Sequence, residues 1–329
     1  MKRVAITTVV VGMTGLLLAL LVCAAGAQPE NPPPQTPPPP PAQLTYGAPA
    51  GLRDTAVTLE GLFKQKKYAE AHALCQQGYA AATDDEIKAF YLRYDAETYM
   101  EERSPQCEPV LKQVIAQYAG TAQASWATMD LGEAYVHAAL VIGNTEHYSA
   151  LAMTYLGQFI SAHPAHERIA RAYWWRALLQ ERQGNYQAAL TDYQKAADLY
   201  PTYPNGNECL MGAIKLLQKF ERWDDAITYA QRYIQLLPQF NPAAAQLTIG
   251  FSYAGKGDLA GAITEFDKVV TQYPGAKDDC AKALFQKGLS QKALGQTEAA
   301  VQTFQQLKQD YPDDALASQA QQQLDALAQ

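Results

Sequence analysis

Proline recurs along the C-terminal half of this chain at a nearly constant interval, and that interval limits what the chain can fold into. Pro164, Pro201, Pro238, Pro274 and Pro312 are separated by 37, 37, 36 and 38 residues. Other residue types keep step with the last four. Twelve residues before them stand Ala189, Ala226, Ala262 and Ala300; eight before stand Tyr193, Ala230, Phe266 and Phe304. Seventeen before stand Gly184, Glu221, Gly257 and Gly295, and Ala177, Gly250 and Gly288 lie seven residues further back.

This spacing has a direct physical meaning. A glycine between two helical runs adopts the left-handed conformation that ends the first helix. The small residue twelve before the proline lets the second helix approach the first closely, and the aromatic one turn later fills the gap. Proline then stops the second helix, because it lacks a donor and clashes with the preceding turn. Each unit is a helical hairpin with an apolar face that must be buried against the next hairpin.

The segment Ala172-Tyr173-Trp174-Trp175 through Gly184-Asn185-Tyr186, Ala189, Tyr193, Ala196 and Pro201 resembles a tetratricopeptide repeat. So does Ile249-Gly250-Phe251-Ser252-Tyr253 with Gly257, Ala262, Phe266 and Pro274. Earlier units diverge. Lys67-Tyr68-Ala69-Glu70-Ala71 marks the second helix of a first repeat, and a second covers roughly residues 84–120. A third, with Leu131-Gly132-Glu133-Ala134-Tyr135 in its first helix, carries about eight extra residues around Val141–Tyr148. The resemblance implies an all-α, right-handed superhelical solenoid of about seven helical hairpins over residues 53–329. The glutamine-rich stretch from Asp314 to Leu327 is expected to form a capping helix, and the capped end implies a monomer. The endings Tyr200-Pro201, Tyr273-Pro274 and Tyr311-Pro312 are similar to a bacterial envelope subgroup. That subgroup includes the periplasmic Tol–Pal accessory protein and the repeat lipoprotein of the outer-membrane β-barrel assembly machine.

The N-terminus agrees with export. Lys2 and Arg3 precede an apolar run from Val9 to Val22, and Ala24-Ala25-Gly26-Ala27 offers a cleavage site, so residues 1–27 read as a signal peptide. An uncut membrane anchor is the alternative. Leu20-Leu21-Val22-Cys23 also resembles a lipobox with Cys23 as the lipidation site, although Val22 stands where a small residue is usual. Residues 28–52 form a proline-rich linker with nine prolines between Pro29 and Pro41. At ~3.1 Å per residue in polyproline II, that run reaches about 40 Å and suits a spacer. Loss of residues 1–27 moves the formal charge from −7 to −9, since it removes two cations and no anion. An acidic chain without a basic stripe has little to offer nucleic acid.

Residue chemistry gives catalysis little support. No Gly-rich phosphate loop or G-x-S-x-G elbow is present. His137, His147, His163 and His166 fall within thirty residues, but Pro164 interrupts any shared helical face, and surface loop histidines are expected rather than a metal or another cofactor. Asp84-Asp85, Asp224-Asp225 and Asp313-Asp314 sit at helix starts, where carboxylates offset the helix dipole. Of the four cysteines beyond residue 27, Cys75 and Cys107 lie on second helices of adjacent repeats and admit a disulfide, with buried thiols as the alternative; Cys209 and Cys280 belong to repeats that are not neighbours.

The resemblance implies that first helices line a concave groove. It selects Arg171, Trp174, Leu178 and Glu181, then Met211, Lys215 and Gln218, then Leu247 and Phe251, then Lys282, Phe285 and Lys292. Aromatics and Met beside Arg and Lys suit a peptide or protein partner, with the cations selecting acidic segments. The expected role is a non-catalytic interaction scaffold in the periplasm or cell envelope. A structural lipoprotein of an outer-membrane assembly complex and a metal-dependent enzyme are the rival readings.

Overall fold

The repeat is built as the spacing requires, and its second-helix alanines Ala189, Ala226, Ala262 and Ala300 have no exposed surface at all. A computed structural model describes residues 47–141 and 145–328. The expected signal peptide, Cys23 and most of the linker lie outside the described residues. Fifteen helices occur among the described residues: α1 Arg53–Lys64, α2 Tyr68–Ala81, α3 Asp85–Glu101, α4 Cys107–Gln117, α5 Ala122–Val141, α6 Thr145–Ala162, α7 Ile169–Arg182, α8 Tyr186–Leu199, α9 Gly206–Lys219, α10 Trp223–Leu236, α11 Pro242–Gly255, α12 Leu259–Gln272, α13 Lys277–Ala293, α14 Thr297–Asp310 and α15 Ala315–Leu327. They pack in consecutive pairs and form an all-α solenoid, with α15 closing the last pair.

Layering follows from which helices touch. Each first helix contacts the first helix of the next hairpin, from α1 against α3 through to α13 against α15. The backbones of second helices stay apart among the described residues, where α10 reaches α8 through the side chains of Tyr229 and Arg232, which bond Asp198; each second helix packs instead on the first helix that follows it. The odd-numbered helices therefore form the closely packed inner layer, and the even-numbered ones spread apart outside.

Close approach within a hairpin depends on a missing side chain. A Cβ on Gly250 of α11 would lie 2.5 Å from the Phe266 ring of α12, and one on Gly288 of α13 would lie 2.6 Å from the Phe304 ring of α14. Phe266 and Phe304 are both fully buried. The third hairpin has longer helices, 20 residues in α5 and 18 in α6 against 14 in α7. The extra residues thus lengthen the hairpin, and its tip at 142–144 lies outside the described residues.

Turns inside the hairpins share one geometry. In the fourth, Gly184 has φ 78° while its N–H bonds the Glu181 carbonyl and the Asn185 N–H bonds the Gln180 carbonyl. Such paired bonds satisfy the last carbonyls of a helix. The fifth hairpin makes the same bonds with Glu221 at φ 57°. A residue with a Cβ costs roughly 1–2 kcal/mol in this conformation. Between the third and fourth hairpins, the Tyr200 hydroxyl donates to the Pro164 carbonyl at 2.6 Å and ties the two repeats together.

The carboxylates at helix starts cap as expected. Asp84 accepts from the Glu86 and Ile87 N–H groups, Asp314 accepts from Leu316, and Asp224 and Asp225 lie in the first turn of α10. Among the described residues, Cys75, Cys107, Cys209 and Cys280 are free thiols, and Cys75 and Cys107 are not paired. Cys75 is sealed in the N-terminal core with Phe90 and Tyr94, while Cys107 opens α4 and is half-buried. Cys209 and Cys280 direct their Sγ atoms at backbone carbonyls of Ala170 and Tyr273, at 3.6 and 3.3 Å.

Glu221 supplies a test of the turn geometry. Its exposed side chain makes no hydrogen bond or ion pair among the described residues, so Glu221→Gly is expected to raise stability by about 1 kcal/mol in urea denaturation. Glu221→Ala keeps the Cβ and is expected to change little. Equal effects from the two would show that the left-handed turn carries no strain.

Candidate functional site

The inner layer is one continuous surface made by the odd-numbered helices, and its two halves differ in chemistry. In the C-terminal half, the residues selected from the sequence divide into three groups. Trp174, Leu178 and Met211 are half-buried at the edge of the main core, with the Trp174 ring 4.3 Å from that of Trp175. Phe251 is 37% exposed and meets the Phe266 ring edge-on at 5.6 Å. Leu247 and Phe285, expected in the groove, are instead 5% and 8% exposed and pack into the core. Leu247 is covered in the cluster that includes Phe266 and Val269 of α12 and Ala283 of α13. Phe285 is covered in the cluster that includes Phe304 of α14 and Ala320 of α15.

The charged residues are mostly spoken for by neighbouring repeats. Arg171 on α7 holds Glu133 of α5 through Nε at 3.0 Å and through Nη2. Lys215 on α9 reaches Glu181 of α7 at 2.5 Å, and Glu181 also accepts from the Tyr193 hydroxyl. Gln218 donates to the Thr248 carbonyl and to Ser252 Oγ on α11. Lys292 donates to the neutral Gln323, so it keeps its full charge, and Lys282 is exposed. Arg171 and Lys215, expected to select acidic segments, are paired with Glu133 and Glu181.

The N-terminal half holds a cluster that the sequence reading passed over. Arg93 on α3 has no exposed surface. Its Nε donates to Gln123 at 2.9 Å, and its Nη1 donates to Glu97 at 2.5 Å and to Asp130 at 3.0 Å. Tyr94 and Trp126 cover the guanidinium with rings at 4.6 and 5.2 Å. The other oxygen of Asp130 takes Arg168 at 2.5 Å, and Arg168 in turn lies 4.3 Å over the Trp126 ring. Beside this network opens a cavity of about 270 Å³ lined by Glu60, Phe63, Glu97, Met100, Glu101, Asp130, Glu133, Arg168 and Arg171.

Burial sets the protonation behaviour of the cluster. Desolvation pushes Glu60 and Glu97 above the usual carboxylate range, with Arg168 opposing it at Glu60 and Arg93 at Glu97. Desolvation would raise Glu133 as well, but His137 at 3.7 Å and the bonds from Arg171 outweigh it and bring the group down to about 2. His166 was expected in a surface loop. It packs against Trp126 and Phe159, and burial first, then Arg168, pushes it down to about 3. Its Nδ1 accepts from the Arg168 N–H, which fixes it as a structural group. Among the described residues, no group of His, Cys, Asp and Glu is placed to hold a metal ion.

The signal for this half was in the sequence. Stepping back from Trp174 by 37 residues at a time reaches His137, Met100 and Phe63, and steps of 36 to 38 from Arg171 reach Glu133, Glu97 and Glu60. The first two repeats lack the closing proline, and Lys66 and Arg103 stand at the left-handed turn positions where later repeats have glycine, so the period alone marks this half.

Arg93 is the most consequential charge in the cluster. Arg93→Met leaves Glu97 and Asp130 buried beside a missing cation, and a loss of about 3–5 kcal/mol is expected for the N-terminal repeats in denaturant unfolding. A loss under about 1 kcal/mol would mean that the network is solvated and contributes little.

Comparison with known proteins agrees with the geometry. Tetratricopeptide-repeat family profiles match residues 170–203, 244–276 and 282–314. No curated protein sequence matches the chain. Among solved structures, the C-terminal part of a TPR repeat-containing protein from Cytophaga hutchinsonii is 14% identical, with a TM-score of 0.56 over 80% of this chain and 98% of that one. A tetratricopeptide repeat protein from Parabacteroides merdae is 12% identical, with a TM-score of 0.42 over 83% of this chain and 96% of that one. YrrB, described as a TPR protein with an unusual peptide-binding site, is 22% identical, with a TM-score of 0.41 over 57% and 91%. The first likeness carries the fold. The repeats at 170–203, 244–276 and 282–314 are tetratricopeptide repeats, set in a solenoid of helical hairpins.

Proposed function

We propose that this chain is a non-catalytic scaffold that holds another polypeptide along its inner layer of helices. The observation that carries the reading is the row of half-exposed apolar side chains Trp174, Met211 and Phe251 on successive first helices, set among interhelix polar bonds. Large aromatics that remain partly open to solvent are the side chains that dominate binding energy when a partner covers them. Neighbouring repeats fix the polar groups, so the surface is preorganised and loses little entropy on binding. The export signal and Tyr-Pro endings support a place in the periplasm or cell envelope, as a monomer with a proline-rich spacer at its N-terminus.

A second reading, a lipoprotein subunit of an outer-membrane assembly complex, is favoured by the lipobox-like Leu20-Leu21-Val22-Cys23. The likeness to the Tol–Pal accessory protein and to the assembly-machine lipoprotein belongs with these proposals. An acyl group found on Cys23 by mass spectrometry would favour this second reading, and a free N-terminus at Gln28 the soluble one.

The scaffold reading predicts the outcome of affinity capture from envelope extract. A partner retained by the wild-type chain is expected to be lost by Trp174→Ala/Phe251→Ala, with helicity by circular dichroism unchanged. A partner held equally by both would place the contact away from the inner layer.

A further inference from the structure

We infer that the cavity beside Arg93 is a receptor for a lysine or arginine side chain of the bound polypeptide. This inference rests on the scaffold reading and adds the chemistry of one part of the ligand. Charge accounting carries it. Five carboxylates and two arginines line the cavity, and Arg93 behind them adds a third cation. The cations are already committed: Arg171 to Glu133, Arg168 to Asp130, and Arg93 to both Asp130 and Glu97. Two carboxylates are left in excess.

The excess is local. Glu60 on α1 and Glu101 on α3 make no hydrogen bond or ion pair among the described residues, and the second oxygen of Glu97 has none either. Burial raises Glu60 and Glu97, and the nearby cations, Arg168, Arg93 and Lys64 at Glu60 and Arg93 and Arg168 at Glu97, offset it only in part. Among the described residues, the carboxylates of the site form no group placed to hold a metal ion. An organic cation on a long stem suits the site. Phe63 and Met100 give the cavity an apolar wall for the methylenes, while the charged end reaches carboxylates. A carboxylate-bearing or phosphorylated segment would meet repulsion here.

Position also favours a polypeptide. The cavity spans the first helices of the first four hairpins and shares Arg171 with the surface that continues to Trp174 and Phe251. A segment lying along the inner layer can place a basic residue in the cavity and apolar residues further along.

The test is fluorescence anisotropy with the full chain and a labelled peptide of alternating alanine and lysine, at low salt so that screening does not mask the effect. The lysine peptide, and its arginine counterpart, are expected to bind at least tenfold more tightly than the same peptide with norleucine or glutamate. Glu60→Gln/Glu101→Gln is expected to weaken lysine-peptide binding about tenfold while leaving helicity unchanged, because neither side chain is tied to the fold. Glu146→Gln/Glu298→Gln removes the same charge from exposed sites on the second helices α6 and α14 and is expected to change binding less than twofold. Equal weakening by the two double variants would reduce the effect to net charge and overturn the assignment, as would failure of either cationic peptide to bind. A captured partner that needs Trp174 and Phe251 but is held normally by Glu60→Gln/Glu101→Gln would sink the cavity assignment and leave the scaffold reading standing.

Discussion

No hairpin in this chain can bury its own apolar face, and everything else in the structure follows from that constraint. The second helix of each pair packs on the first helix of the next, so each repeat is stabilised by its neighbours. The close approach this demands is met by small residues against aromatics, as at Gly250 under Phe266 and Gly288 under Phe304. Because successive first helices pack closely and the backbones of second helices stay apart, the stacking yields a single inner surface. That surface is the product of the repeat, and it is where function is expected.

Polar bonds between consecutive first helices do two things at once. They hold Arg171 to Glu133, Lys215 to Glu181, and Gln218 to Ser252 across repeat boundaries, which orders the surface. They also neutralise charges that in isolation would look like ligand-binding groups. Exposed pairs such as Lys215–Glu181 add little stability, a fraction of a kcal/mol in typical cases. Buried Arg93 is different, because two carboxylates depend on it.

The hairpins were legible because proline, glycine and alanine mark the turns and the close contacts, and those residue types have local causes. The Glu221 turn was legible by register alone, since the backbone takes the left-handed conformation there without a glycine. Partners across repeats were not legible, because Glu133 lies 38 residues from Arg171 and nothing local links the two. The burial of Phe285 was hidden for the same reason: α14 and the capping helix α15 contribute to the cluster that covers it. The N-terminal cavity was within reach of the repeat period, but the divergence of the first three units concealed the register. Helix register admits a Cys75–Cys107 bond beside the alternative of buried thiols, and register says nothing of the sealed pocket that Cys75 occupies.

The central claim is that the inner layer, and not the outer one, contacts the partner. Phe251 on α11 and Leu236 on α10 are both 37% exposed, one facing from each layer, which makes them a matched pair for site-specific photocrosslinking. With a photoreactive phenylalanine at each position in turn and envelope extract as the source of partner, adducts are predicted at position 251 and not at position 236. Adducts at 236 alone, or equal yields at both, would contradict the account.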